Sequence, residues 1–261
     1  MKRTLVLLII RISLSPIKFI LKINPEFRNI LADTLRSNIN LLLWLVEKNN
    51  LPSENNLEIK YNHIEDKKLN NFEELSFLFN CNHSNRGIIA LDFDEAAYLF
   101  HLIRNDNNIN TLLEIGRFLG GSTVLISVAK KSQALFTSVD LKVKFPKYAD
   151  DLYIEKTLKK IKAENVFLEI ANSRMYESKS NLDFCFIDGD HSYEGVKLDY
   201  LNIKKYLNNG AHVLFHDAVK SRNFATMDER VNQFINDLDS DNELIFIKDI
   251  GSIRHFKYYK K

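Results

Sequence analysis

Two short stretches of this 261-residue sequence stop being apolar and turn acidic within a few positions. "FCFIDGDH" runs from Phe184 to His191 and delivers Asp188, Asp190 and His191. "VLFHD" ends at His216 and Asp217. Carboxylates grouped in this way accept protons or hold a hard divalent cation through oxygen. An imidazole that titrates near neutrality serves as a general base beside them. A third stretch, "LEIGRFLGGST", carries Glu114, Gly116, Gly120 and Gly121 ahead of Ser122 and Thr123. Glycines there let backbone N–H groups approach a ligand closely, with a helix N-terminus beyond them. The spacing is not the G-x-G-x-x-G of a dinucleotide loop. Glu114, two residues before the first glycine, would repel a pyrophosphate and suit a cation.

Elements must carry these groups to one place. "DFDEAAYLFHLIR" opens with a capping pair, Asp92 and Glu95, and continues with helical spacing at Ala96, Leu99, Phe100 and Ile103. Strands are expected at 110–115, 134–140, 166–170, 182–188 and 212–217. Helices are expected over 122–131, 151–163, 193–207 and 225–238. The last helix-to-strand unit is followed by "ELIFIKDIGSIRHFKYY", which reads as a hairpin around Gly251. Strands alternating with helices predict an α/β fold with a doubly wound, Rossmann-like parallel sheet, because parallel neighbours need crossover helices. Such sheets bind ligands beyond the carboxyl ends of their strands. Asp188 and Asp217 fall at two such ends. Asp190 reads as the cap of the helix from Tyr193, and His212 as the solvent-side start of the fifth strand.

The remainder of the chain bounds its partners. Lys and Arg total 36 against 34 Asp and Glu, a net charge of +2, which argues against a nucleic-acid partner. Residues 1–36 hold seven basic and two acidic side chains, +5, leaving −3 for the rest. Within "MKRTLVLLIIRISLSPIKFILKI" the apolar run Leu5–Ile10 is ended by Arg11, too short to cross a membrane. Arg11, Ser15, Lys18 and Lys22 share one helical stripe, with apolar residues over the rest. A basic amphipathic helix of this kind lies on an anionic membrane surface or docks on protein. A second amphipathic helix fits 26–48, and 49–71 reads as a linker. The expectation is an N-terminal helical extension and linker over 1–71 that contacts a membrane surface or forms a homo-oligomer through 1–48. A second domain then covers 72–261. Two cysteines, Cys81 and Cys185, have no metal-ligand spacing, and the expected location is the cytoplasm, at the inner face of the membrane if the helix lies there.

"LEIGRFLGGST" resembles motif I of class I S-adenosylmethionine (SAM)-dependent methyltransferases. "IDGDHSYEGVKLDY", "NNGAHVLFHDA" and "GSIRHFKYY" resemble methyltransferase family 24, relatives of the catechol-type O-methyltransferases, over residues 86–259. The resemblance implies SAM as cofactor and O-methylation of a small molecule or a sugar hydroxyl. It implies that Glu114 faces the methionyl amino group and that Gly116 lines the methionine, within a loop completed by Phe118 and Gly120. Ser122 and Thr123 would hold the carboxylate, Asp140 both ribose hydroxyls, and Ser173 the adenine edge, with Asp188 between cofactor and acceptor. Metal-dependent relatives bind Mg²⁺ through carboxylates matching Asp188 and Asp217. Ala218 stands where the catechol type has a third, amide ligand, so His191 or Asp190 would replace it. Without a metal, His216 or His191 is the general base. Two alternatives remain open: a non-catalytic binding protein on this fold, and an NAD-type oxidoreductase.

Overall fold

The alternation read from the sequence becomes a seven-stranded sheet in the order β3-β2-β1-β4-β5-β7-β6. The strands are β1 (Thr111–Ile115), β2 (Leu135–Asp140), β3 (Val166–Ile170), β4 (Leu182–Ile187), β5 (Leu207–Phe215), β6 (Leu244–Ile250) and β7 (Ile253–Tyr258). The structure, a computed structural model, describes residues 66–79, 88–141, 151–219, 229–238 and 241–261. All of these lie in one unit, 61–261. The expected helices within 1–23 and 26–48, and Cys81, lie outside the described residues.

Strands β1 to β5 pair in parallel, and the β6–β7 hairpin adds antiparallel to β5 through β7. Among the described residues five α-helices serve as crossovers and flanks: α1 (Phe93–Asn105), α2 (Gly121–Ala129), α3 (Asp151–Lys160), α4 (Tyr193–Lys204) and α5 (Glu229–Leu238). Side chains alternate across each strand. Leu112, Phe184 and Phe186 therefore pack with α1, α2 and α3 on one face. Leu113, Ile115, Cys185 and Ile187 pack with α4 and α5 on the other. Both faces are covered, which is why β4 reads as unbroken apolar sequence. Each fully buried Leu, Ile or Phe there contributes about 1.5–3 kcal/mol of transfer free energy. The chain enters the sheet at β1, goes outward to β2 and β3, then returns to place β4 on the opposite side of β1. The carboxyl ends of β1, β2, β4 and β5 consequently frame one crevice.

Two elements differ from expectation. A 3-10 helix at Phe72–Leu78 buries Phe72, Leu75 and Leu78 against the α1 face, where the sequence shows no period long enough to register. Helix α4 stops at Lys204, not 207, because the chain needs Leu207 as the partner of Leu182, and β5 starts there. Asn208, Asn209 and Gly210, a turn signal by composition, instead occupy an irregularity in the β4–β5 register.

Candidate active site

A cavity of about 870 Å³ opens at the carboxyl ends of the strands. Its first wall is the loop after β1. Gly116 has φ +87°, and a Cβ there would lie 2.0 Å from the Asp188 carbonyl oxygen. Only glycine lets the β1 and β4 loops approach this closely. Asp140, at the tip of β2, accepts on Oδ2 from the Arg117 and Phe118 backbone N–H groups at 2.7 and 2.9 Å. The expected ribose carboxylate thus also pins the glycine loop. Phe118, at φ +45° and 59% exposed, lines the mouth.

Glu114, Gly120, Ser122 and Thr123 are placed differently from the direct-contact expectation. They lie behind this wall and are not among the residues lining the cavity. The α2 N-terminus is packed into the core, leaving Ser122 and Thr123 buried, and Glu114 is 0% exposed beneath it. Thr123 and Ser138 both donate to Glu114 Oε2, each at 2.5 Å, while Oε1 is buried without a partner. Burial pushes the Glu114 carboxyl up to about 7, with the nearby hydroxyls of Ser122, Ser138 and Thr123 opposing. The wall continues past Asp140 along Ala171, Asn172, Ser173 and Arg174 at the end of β3.

The second wall is made of side chains. His191 Nε2 lies 3.4 Å from Asp188 Oδ1, and His191 Nδ1 lies 3.4 Å from Asp217 Oδ2. Donor atoms of Asp188, His191 and Asp217 all fall within 4.8 Å of one another, a geometry open to a metal ion. Asp217 sits at φ +52°, a strained conformation for a residue other than glycine, and its Oδ2 also lies 3.6 Å from His216 Nδ1. Burial raises the Asp217 carboxyl above its usual range. Burial would also raise Asp188, but His216 and His191 hold it below that range.

His216 is 9% exposed and spans two carboxylates. Nδ1 lies 3.0 Å from Asp188 Oδ1, and Nε2 lies 3.3 Å from Glu95 Oε2. Burial opposes its charge, yet Asp188 and Glu95 hold it well above the ordinary histidine value. Neither ring nitrogen is left for an acceptor. This makes His216 a poor match to the general-base expectation; His191 also faces two carboxylates, each at 3.4 Å, but its side chain is 41% exposed and is the accessible imidazole of the two.

Glu95 is the residue that sequence reasoning missed. Its capping pattern with Asp92 is present, with the Asp92 N–H donating to Oε2 at 2.7 Å. The same carboxylate also accepts from Ser252 N and Oγ at 2.5 and 2.8 Å, and it meets His216. Gly251 at φ +56° makes room for it, since a Cβ there would stand 2.3 Å from Glu95 Oε1. A glutamate three residues after a cap explains itself locally, so nothing in the sequence points to a second role.

Two local expectations are corrected. Ser192, not Asp190, caps α4, because the Ser192 hydroxyl accepts from Gly195 N at 3.0 Å. Asp190 instead accepts from Ser192 N at 2.9 Å and pairs with Arg174. His212 is 4% exposed, not at a solvent-side strand end. It lies in a buried chain, Tyr98–His255–His212–Asp106, with links of 2.7, 2.8 and 3.0 Å.

Residues 113–218 match the family model described as a methyltransferase domain, methyltransferase family 24. The uncharacterized protein R132 of Acanthamoeba polyphaga mimivirus is 26% identical over 162 residues, 54% of this chain and 68% of that one. Two solved structures share the fold. Cofactor-bound Rv0187 from MTB matches with a TM-score of 0.53 and 15% identity, over 66% of this chain and 83% of its own. The SAH-bound Podospora anserina methyltransferase PaMTH1 matches with a TM-score of 0.52 and 12% identity, over 86% and 96%. Three of the motifs singled out in the sequence, those at Glu114–Thr123, Asp188–Tyr200 and Gly210–Ala218, fall inside the stretch 113–218 that matches the methyltransferase-domain model, and the one around Gly251 lies beyond it.

Proposed function

We propose that this chain is a SAM-dependent methyltransferase that methylates a hydroxyl of a small molecule or a sugar. One observation carries the proposal: a single cavity joins Gly116 and Asp140 to Asp188, His191 and Asp217. The cavity fits the cofactor at its first wall, where the glycine turn at Gly116 closes against the Asp188 backbone as a cradle and Asp140 offers a carboxylate to ribose hydroxyls. When bound, SAM supplies a sulfonium methyl group for in-line transfer to an acceptor oxygen. Glu114 supports the cradle from behind by fixing Thr123 and Ser138.

At the second wall the chain orients the acceptor and takes its proton. Asp188, His191 and Asp217 would hold a divalent cation such as Mg²⁺, which lowers the pKa of a coordinated hydroxyl. His191 then fills the place that Ala218 leaves empty of a ligand atom. His216, clamped between Glu95 and Asp188, keeps the Asp188 carboxylate aimed at the cavity. On the acceptor side the cavity is lined by the Asp188 and Asp217 carboxylates and the His191 imidazole, groups that suit a hydroxyl-bearing substrate.

The test is transfer of a labelled methyl group from SAM to pools of sugars and phenols, with and without chelator. Transfer to hydroxyl acceptors supports the reading. Transfer to none of them, or NAD-dependent redox turnover, contradicts it. Full activity in chelator would remove the metal and leave His191 alone as base.

The proposal extends to residues 1–48, whose basic, apolar pattern suits an anionic membrane surface at the cytoplasmic side. Among the described residues no helix is long and apolar enough to cross a membrane. Salt-sensitive co-sedimentation with anionic vesicles supports this extension, and its absence refutes it.

A further inference from the structure

Helix α4 carries a carboxylate with no solvent contact beneath the far end of the first wall. Asp199 is 0% exposed. Its Oδ1 accepts a hydrogen bond from the Ser173 hydroxyl at 2.6 Å, and its Oδ2 is buried without a partner. That Oδ2 and the Ile115 side chain each lie 3.1 Å from where a Cβ on Gly189 would stand. One turn further along α4, Asn202 donates to the main-chain carbonyls of Ser173 and Tyr176, both at 2.8 Å. The 3-10 turn Ser173–Met175 is therefore tied to α4 by side chains.

Ser173 lines the cavity. Asp140 lies at the neighbouring strand tip, and the wall passes from it to Ala171–Arg174, so in the SAM reading a base attached to a ribose held by Asp140 would lie against Ser173. A hydroxyl has one proton and two lone pairs, and an ionised carboxylate only accepts. With its proton committed to Asp199, Ser173 turns lone pairs to the cavity and has nothing to donate.

We propose that Asp199 is a specificity-positioning residue: it fixes Ser173 as a hydrogen-bond acceptor, so that the cavity selects a purine with an exocyclic amino group over its 6-oxo counterpart. An amino group donates to the Ser173 oxygen. An oxo group sets acceptor against acceptor, and a buried polar group left unmatched is penalised. The inference rests on the SAM reading above.

The experiment is calorimetric titration of the full chain with S-adenosylhomocysteine and with S-inosylhomocysteine, its deaminated form. Wild type binds the amino ligand about tenfold more tightly. Asp199→Leu, an apolar residue of similar volume beside Ile115, frees the serine proton and brings the ratio to within about twofold of one; Asp199→Ala is the second variant should leucine fail to fold. Ser173→Ala abolishes the preference and Ser173→Thr retains it. Asn202→Ala loosens the same turn through its backbone only, weakening both ligands alike and leaving the ratio unchanged. Equal binding of both ligands by wild type overturns the inference, as does an unchanged ratio in the Asp199 variant or in Ser173→Ala. Binding of neither ligand by wild type overturns the SAM reading instead.

Discussion

On the β1–β2 side of the cavity the wall is backbone, a glycine turn pressed against the Asp188 carbonyl and two N–H groups gathered by Asp140. On the β4–β5 side it is side chain, with Asp188, His191, His216 and Asp217 interlocked at 3.0–3.6 Å and braced from α1 by Glu95. A wall of backbone is fixed by what the turn excludes, so it tolerates almost no added atom. A wall of side chains is fixed by charge, so it tolerates isosteric change sterically while losing its chemistry.

The largest effect should follow from breaking the backbone wall. Gly116→Ala forces a Cβ into the Asp188 carbonyl at positive φ, a strain of about 1–3 kcal/mol before any clash. S-adenosylhomocysteine binding should fall by about a hundredfold or more, with a lowered melting temperature. Retention of wild-type affinity would mean that the two loops separate freely. Asp140→Ala should come next, since it removes a charged acceptor that holds the loop and that we propose also holds the ribose. A loss of about 1.5–3 kcal/mol in cofactor affinity is expected by calorimetry.

Asp217→Asn sharpens the contrast from the other side. Cofactor affinity should stay within about twofold, because the Asp217 carboxylate faces His191 and His216 and not the glycine turn. Mn²⁺ binding followed by paramagnetic resonance should be lost. A joint loss of cofactor and metal would show the walls to be one unit.

The smallest effect concerns the hairpin behind the second wall. Burial, then His212 and two lysines, pushes His255 down to about 3. The unfolded chain therefore binds more protons between about pH 3 and 6.5, so this stability is complete above 6.5 and is lost on acidification. His191 and His216 are shifted upward, and their contribution is complete below 6.5 and fades as pH rises. Between pH 7 and pH 5 His255 lowers the melting temperature while His191 and His216 raise it, so His255→Gln should be less sensitive to acidification than the wild type. An equal slope in that variant would assign the acid sensitivity elsewhere.

Much of the backbone wall was legible because its signals are local. A glycine turn, a strand-end Asp140 and the parallel order of β1 to β5 all follow from spacing within a few residues. The strand-tip placement of Asp188 and Asp217 was legible for the same reason. Glu95 was not, since it meets His216 across 121 positions and its capping role already accounts for it. His212 and His255, 43 positions apart, are joined only by β5–β7 pairing, which no period encodes. Asp190 misled as a cap because Ser192 lies two residues on, and the Asp190–Arg174 ion pair decides between them only in three dimensions.

The central claim is that the backbone wall is a SAM site. Calorimetric titration of the folded wild-type chain with S-adenosylhomocysteine, run in parallel with NAD, tests it most directly. The account predicts saturable one-to-one binding of S-adenosylhomocysteine that Asp140→Ala weakens, and no binding of NAD. Saturable NAD binding, or no heat with S-adenosylhomocysteine from folded protein, would contradict it.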